Sequence, residues 1–110
     1  MQTGTEAFHI KIATVPKGII RPLWSVIIPT YNCANYLKET LTSVLAQDPG
    51  EASMEIIVVD DHSTKDDPET IVKEFGNGRV QFYRQTKNIG KSSNYAYGIN
   101  LSKGHYIHLL

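Results

Sequence analysis

What most constrains this chain is the order in which its hydrophobic periods change. WSVIIP at 24–29 and EIIVVD at 55–60 are short, continuous runs rich in β-branched residues. Such runs belong to strands covered on both sheet faces, because a half-exposed strand alternates instead. Between them, Leu37, Leu41, Val44 and Leu45 fall at i, i+4, i+7 and i+8, one face of an amphipathic helix. Asn35 is the expected N-cap of that helix and Pro49-Gly50 its end. Asp67-Pro68 supplies an N-cap and a first-turn proline for a second helix, with Ile71, Val72 and Phe75 inward and Gly76 as its stop. RVQFYR at 79–84 sets Val80 and Phe82 against Gln81 and Tyr83, a third strand. A third helix is expected from about Lys91 to Lys103, stopped by Gly104, and residues 105–110 begin a fourth strand. Pro29, which has no N–H for a ladder, is expected to end the first strand. The order predicts an α/β fold: a Rossmann-like β-α-β-α-β-α-β unit with a mostly parallel sheet joined by right-handed crossovers.

Length and composition narrow the functions such a unit can have. At 110 residues the chain holds one domain, and 41% apolar with 20% charged residues excludes a disordered chain. Eleven basic and eleven acidic side chains cancel, so there is no global basic field and no nucleic-acid partner is expected. The charge is uneven: residues 23–70 carry two positive and nine negative charges, residues 71–110 six positive and one negative. No apolar run approaches the roughly 18 residues of a membrane span, and no secretory signal is evident. A lone cysteine, Cys33, forms no internal disulfide, which fits a reducing, cytoplasmic setting, with membrane association of the parent protein left open. Residues 1–22 read as a leader or linker: Phe8, Ile10 and Ile12 suggest a short strand, then Pro16, Gly18 and Pro22 break the pattern. The domain is expected over 23–110. The run from His105 to Leu110 is apolar and carries no polar tail, so the chain is expected to be a fragment of a longer protein.

In doubly wound sheets, ligands bind beyond the carboxyl ends of the strands, where the connection direction reverses. Three polar clusters stand at those ends: Pro29-Thr30-Tyr31-Asn32, Asp60-Asp61-His62-Ser63-Thr64 and Asn88-Ile89-Gly90-Lys91. Asp60 and Asp61 are adjacent carboxylates that need donors or a cation. They can read the imide N–H of a uracil ring or hold Mg²⁺; the alternative is an Asx-type turn in which Asp61, Ser63 and Thr64 bond local backbone N–H groups. Tyr31 offers a ring for stacking on a base. Gly90-Lys91 ahead of a helix is a small phosphate cradle. The histidines predict no metal site: His105 and His108, three apart on a strand, face opposite sides.

WSVIIPTYN, LKETLTSVLAQ, EIIVVDDHST and NIGKSSNYAYGI…GHYIHLL, in that order, resemble the N-terminal half of a family 2 glycosyltransferase with the GT-A fold. The combination of PTYN with VVDD-x-ST is the specific part. The resemblance implies transfer of a sugar from a nucleotide donor, usually UDP-linked, to a saccharide, lipid or protein acceptor with inversion. It implies Mg²⁺ or Mn²⁺ for the parent protein, with no metal held by this chain alone. By position it makes Pro29, Thr30 and Tyr31 the loop around nucleobase and ribose. It makes Asp61 the carboxylate on the uracil imide, with Asp60 beside it, and Asn88, Gly90 and Lys91 the loop over the nucleotide. Where many members carry Ala-Arg-Asn, this chain has Asn94-Tyr95-Ala96. The family's Asp-x-Asp motif and catalytic base are expected beyond Leu110. No catalytic residue is therefore expected within the chain, and the chain alone is expected to bind rather than catalyse. The alternatives are a receiver-like regulatory module and a non-catalytic nucleotide-binding module.

Overall fold

The computed structural model describes residues 21–110; the strand expected near residues 8–12 lies outside the described residues. The elements are β1 (Trp24–Thr30), α1 (Ala34–Ala46), β2 (Met54–Asp60), α2 (Pro68–Phe75), β3 (Val80–Arg84), α3 (Lys91–Leu101) and β4 (Tyr106–Leu109). They build one sheet in the order β3-β2-β1-β4, every pair parallel. The first two crossovers step the same way, and the third returns to the far side of β1. Helices α1 and α2 therefore cover one face and α3 the other, and the connection direction reverses between β1 and β4.

The continuous runs behave as their composition demands. All seven residues of β2 are buried. Val26, Ile28, Ile56 and Val58 pack under Leu37, Leu41 and Val72 on one face, while Ile27, Ile57 and Val59 meet Tyr95 and Leu101 on the other. Gly98 lets α3 sit against that second face, where a methyl group would come within 2.6 Å of Ile27 Cγ2.

Three local expectations are corrected. Strand β1 runs through Pro29 to Thr30. Trp24 and Thr30 bond toward the β2 side, whereas Leu23 and Ile27 accept from Tyr106 and Leu110 on the β4 side. Pro29 shares the parity of Leu23 and Ile27, so its missing N–H falls on the β4 side, past the paired stretch, and no ladder bond is lost. Helix α1 starts one residue before Asn35, and Cys33 occupies the N-cap without a side-chain bond. The cap comes from outside: Asp66 Oδ2 accepts the Ala34 N–H at 2.8 Å. Helix α3 ends at Leu101 because the next residue is extended and the Lys103 N–H donates to buried Glu55. The second helix follows its signals, with Asp67 accepting from Thr70 and Gly76 closing it.

At the end of the sheet opposite the polar clusters, Arg79 Nε donates to Asp48 Oδ2 at 2.7 Å and its Nη2 to Oδ1 at 2.9 Å. The Arg79 hydrogen bond, helped by the Gly50 N–H, holds the Asp48 carboxyl below its ordinary value of 3.8 against the opposing effect of burial. A depressed carboxyl contributes stability above its unfolded value and loses it as pH falls through the folded one. Asp48→Asn should therefore cost about 1–2 kcal/mol at pH 7. The gap should narrow as pH falls below 3.8, and urea unfolding at pH 7 and at acid pH measures both.

Candidate functional site

The polar clusters meet beyond the carboxyl ends of β1 and β2. Asn32, in the left-handed region at φ +50°, turns its side-chain oxygen to the N–H groups of Thr64 and Lys65, each at 2.9 Å. Its own N–H donates to Ser63 Oγ at 2.9 Å. Asparagine is among the few residues that enter this conformation at low cost. The loops after β1 and β2 are thereby joined into one platform.

The two adjacent aspartates do different work. Asp60 is fully buried, and its carboxylate accepts the Ser63 N–H at 2.9 Å and the Ser63 hydroxyl at 2.6 Å. Arg84 Nε lies 3.5 Å from Asp60 Oδ2, and Arg84 Nη2 donates to the Ser63 carbonyl at 2.9 Å. The Asx-type turn therefore forms on Asp60 and not, as expected, on Asp61, and an arginine from the end of β3 closes it. Asp61 turns the other way. Its Oδ1 accepts the Ile89 N–H at 2.7 Å and its Oδ2 the Gly90 N–H at 3.0 Å. The Asn88 side-chain amide adds a bond to the Asp61 carbonyl at 3.3 Å. A single carboxylate thus ties the loop after β2 to the turn before α3.

These contacts enclose a cavity of about 410 Å³. Pro29, Thr30 and Tyr31 line it from the end of β1, Asp61 from the end of β2, and Asn88, Gly90 and Lys91 from the start of α3. Of the residues expected at the site, Asp60 alone does not line it, since its oxygens are spent on Ser63 and Arg84. Tyr31 stands half-exposed at the rim, and Lys91 is the cationic lining group. One lining residue, Asn94, was not among the expected set. It is 1% exposed, donates from Nδ2 to the Val59 carbonyl at 2.8 Å and accepts from Gln85 Nε2 at 3.1 Å. Its signal lies in the sequence: Asn94, Gly98 and Leu101 fall at i, i+4 and i+7, which puts an amide on the buried stripe of α3.

A second cavity of about 600 Å³ opens between α1 and the β1–β4 edge, lined largely by Trp24, Val26, Val44, Met54 and Leu110. Thr40, Ser43, Gln47 and His108 also line it, with no Lys, Arg, Asp or Glu among the lining residues, and it lies away from the carboxyl ends of the strands where the polar loops meet.

The acidic pair does not fit a divalent metal. Asp60 is fully buried with both oxygens on Ser63 and Arg84 beside it, and the two carboxylates point apart, so Asp61 faces the cavity as a single carboxylate with no second acidic ligand beside it. Among the described residues no three His, Cys, Asp or Glu side chains gather as a metal site.

The geometry can be set beside known proteins. The family model of glycosyl transferase family 2 matches residues 25–110. An uncharacterized glycosyltransferase of Rickettsia typhi is 46% identical over 85 residues, 77% of this chain and 25% of that protein. Residues 1–349 of Staphylococcus aureus TarS, solved in complex with UDP-GlcNAc, superpose with a TM-score of 0.66 at 33% identity. That match covers 79% of this chain and 25% of the other. The mannosyltransferase PcManGT from Pyrobaculum calidifontis, in complex with GDP-Man and Mn²⁺, superposes at 0.56 with 27% identity, over 81% of this chain and 27% of that one. The chain spans only a part of the curated relatives it matches, 25% of the Rickettsia typhi protein and as little as 12% of another. The matched residues contain the parallel sheet from the second residue of β1 onward and all three loops of the cavity, in a GT-A-like arrangement, and the chain belongs to glycosyl transferase family 2.

Proposed function

We propose that this chain forms the donor-nucleotide part of a glycosyltransferase that uses a uridine diphosphate sugar. The observation that carries the reading is the cavity at the carboxyl ends of β1 and β2. It combines an acceptor-only carboxylate (Asp61), an exposed aromatic ring (Tyr31) and a cation at a helix N-terminus (Lys91). Those three groups suit a nucleobase with a ring N–H donor, a stacking face and a diphosphate. Pro29 and Thr30 fill the wall between base and ribose, and Asn88 and Gly90 form the cover.

For the whole protein, the reaction is displacement at the anomeric carbon with inversion. The acceptor hydroxyl forms the new glycosidic bond, the bond to the diphosphate oxygen breaks, and a base takes the hydroxyl proton. None of the described residues is assigned as that base. A divalent cation, Mg²⁺ or Mn²⁺, would neutralise the departing diphosphate, and its ligands belong to the rest of the protein.

Titrating the chain with UDP tests the assignment. Asp61→Ala should weaken binding by about tenfold or more, since a hydrogen bond to a charged group is worth about 1.5–3 kcal/mol. Equal affinity of the variant and the wild type for UDP would sink the placement of the base at Asp61.

A further inference from the structure

The turn before α3 has a feature that the nucleotide reading does not use. Gly90 sits at φ +92°, ψ 158°, a conformation essentially restricted to glycine. Nothing lies within 4 Å of where a methyl group would go, so packing does not demand glycine there; the backbone conformation does. That conformation has one local consequence. It sends the Gly90 N–H toward Asp61 Oδ2 at 3.0 Å beside the Ile89 N–H on Oδ1 at 2.7 Å. The Gly90 carbonyl meanwhile accepts the Asn94 N–H at 2.9 Å and opens the helix. Two consecutive amides thus form a fork, and the fork holds both oxygens of one carboxylate.

We propose that Gly90 is a positioning residue for base selection: it orients Asp61 so that the cavity accepts a nucleobase carrying a ring N–H and rejects one that lacks it. The inference rests on the nucleotide reading above. Each Asp61 oxygen gives one lone-pair direction to the fork and keeps another for a ligand. The remaining acceptors suit uracil, whose ring N–H is a donor. Cytosine presents a bare ring nitrogen at the equivalent place, so acceptor would face acceptor and the carboxylate would lose its water without compensation. Asparagine does not substitute for Asp61, because its NH₂ group would have to face one of the two fork amides.

Calorimetric titration of the full chain with UDP and with CDP tests this. Gly90→Ala is the test variant, and Gly78→Ala is the control. Gly78 also has a positive φ, +69°, and open space around it, but it lies in the turn before β3 and outside the cavity lining. The wild type should prefer UDP over CDP by about tenfold or more. Gly90→Ala should bring that ratio close to one, and Gly78→Ala should leave it unchanged. A structural role alone would weaken both nucleotides together and keep the ratio. An unchanged ratio in Gly90→Ala overturns the proposal and leaves the nucleotide reading standing. A wild type that binds neither nucleotide overturns the reading, and the proposal falls with it. Amide hydrogen exchange gives a readout that survives misfolding of the glycine variant: in the wild type the Ile89 and Gly90 amides should be protected, and Asp61→Ala should remove that protection. Rapid exchange of both amides in the wild type would also overturn the proposal.

Discussion

Asp60→Ala should lower the stability of the chain by about 2–4 kcal/mol, far more than its neighbour's replacement does, although the two carboxylates are adjacent in sequence. The fully buried Asp60 is the acceptor for the Ser63 N–H, the Ser63 hydroxyl and the Arg84 guanidinium. Alanine leaves the buried Ser63 N–H and hydroxyl without their acceptor, while the half-exposed Arg84 keeps water and the Ser63 carbonyl, and an orphaned buried donor costs its full desolvation. The loss also spreads. The Ser63 hydroxyl receives the Asn32 N–H, and Asn32 receives Thr64 and Lys65, so the platform that joins the first two loops is released. Urea denaturation should show the midpoint fall for Asp60→Ala, while Asp61→Ala should alter UDP affinity first. A wild-type midpoint in Asp60→Ala would mean that this turn holds nothing together.

Gly104→Ala should be as severe, with a loss of about 3 kcal/mol or more, at a residue remote from the cavity. A methyl group there would lie 2.6 Å from the Ser25 backbone nitrogen and 2.7 Å from the Trp24 carbonyl carbon. Those atoms belong to β1, the strand bonded to both β2 and β4, and backbone in a central ladder does not yield as a flexible side chain does. The same approach carries a buried polar cluster. The Gly104 N–H donates to Ser25 Oγ at 2.8 Å, and the Ser25 hydroxyl and the Lys103 N–H donate to Glu55 Oε2. Separating Gly104 from β1 breaks this chain at its first bond and leaves Glu55 short of donors. Thermal unfolding followed by circular dichroism checks the size of the effect. A melting temperature within a degree or two of wild type would show that the connection from α3 to β4 is free to shift.

Much of the fold was legible because its signals are local. The runs at 24–29 and 55–60 could only be strands covered on both faces, and Asp67-Pro68 with Gly76 bounded a helix whose cap forms within one turn. Where the reading missed, the deciding partner came from elsewhere in the chain. Asn35 is a good N-cap by residue type, yet Asp66 supplies the acceptor for the start of α1 from 32 residues away. Pro29 stayed in β1 because the strand on that side pairs only as far as Ile27. Lys103 left α3 because Glu55 takes its N–H. Seven of the eight expected site residues line one cavity, since the carboxyl ends of parallel strands must share one edge of the sheet. The eighth, Asp60, carries the same charge as Asp61, and residue type alone does not separate them.

Residue order was enough for the alternation of strands and helices, the parallel sheet, the edge at which the polar clusters meet and the resemblance to the family. Each of these follows from hydrophobic period or from motif order, which need no knowledge of distant contacts. Which aspartate faces the cavity depends on contacts made across the fold. Successive residues at a strand end point to opposite sides, and the side holding Ser63 and Arg84 consumes one carboxylate while the fork of Ile89 and Gly90 orients the other. The division between a carboxylate that holds the loops and one that can read a ligand is therefore made by donors at positions 63, 84, 89 and 90, brought to Asp60 and Asp61 only by the folding of the sheet.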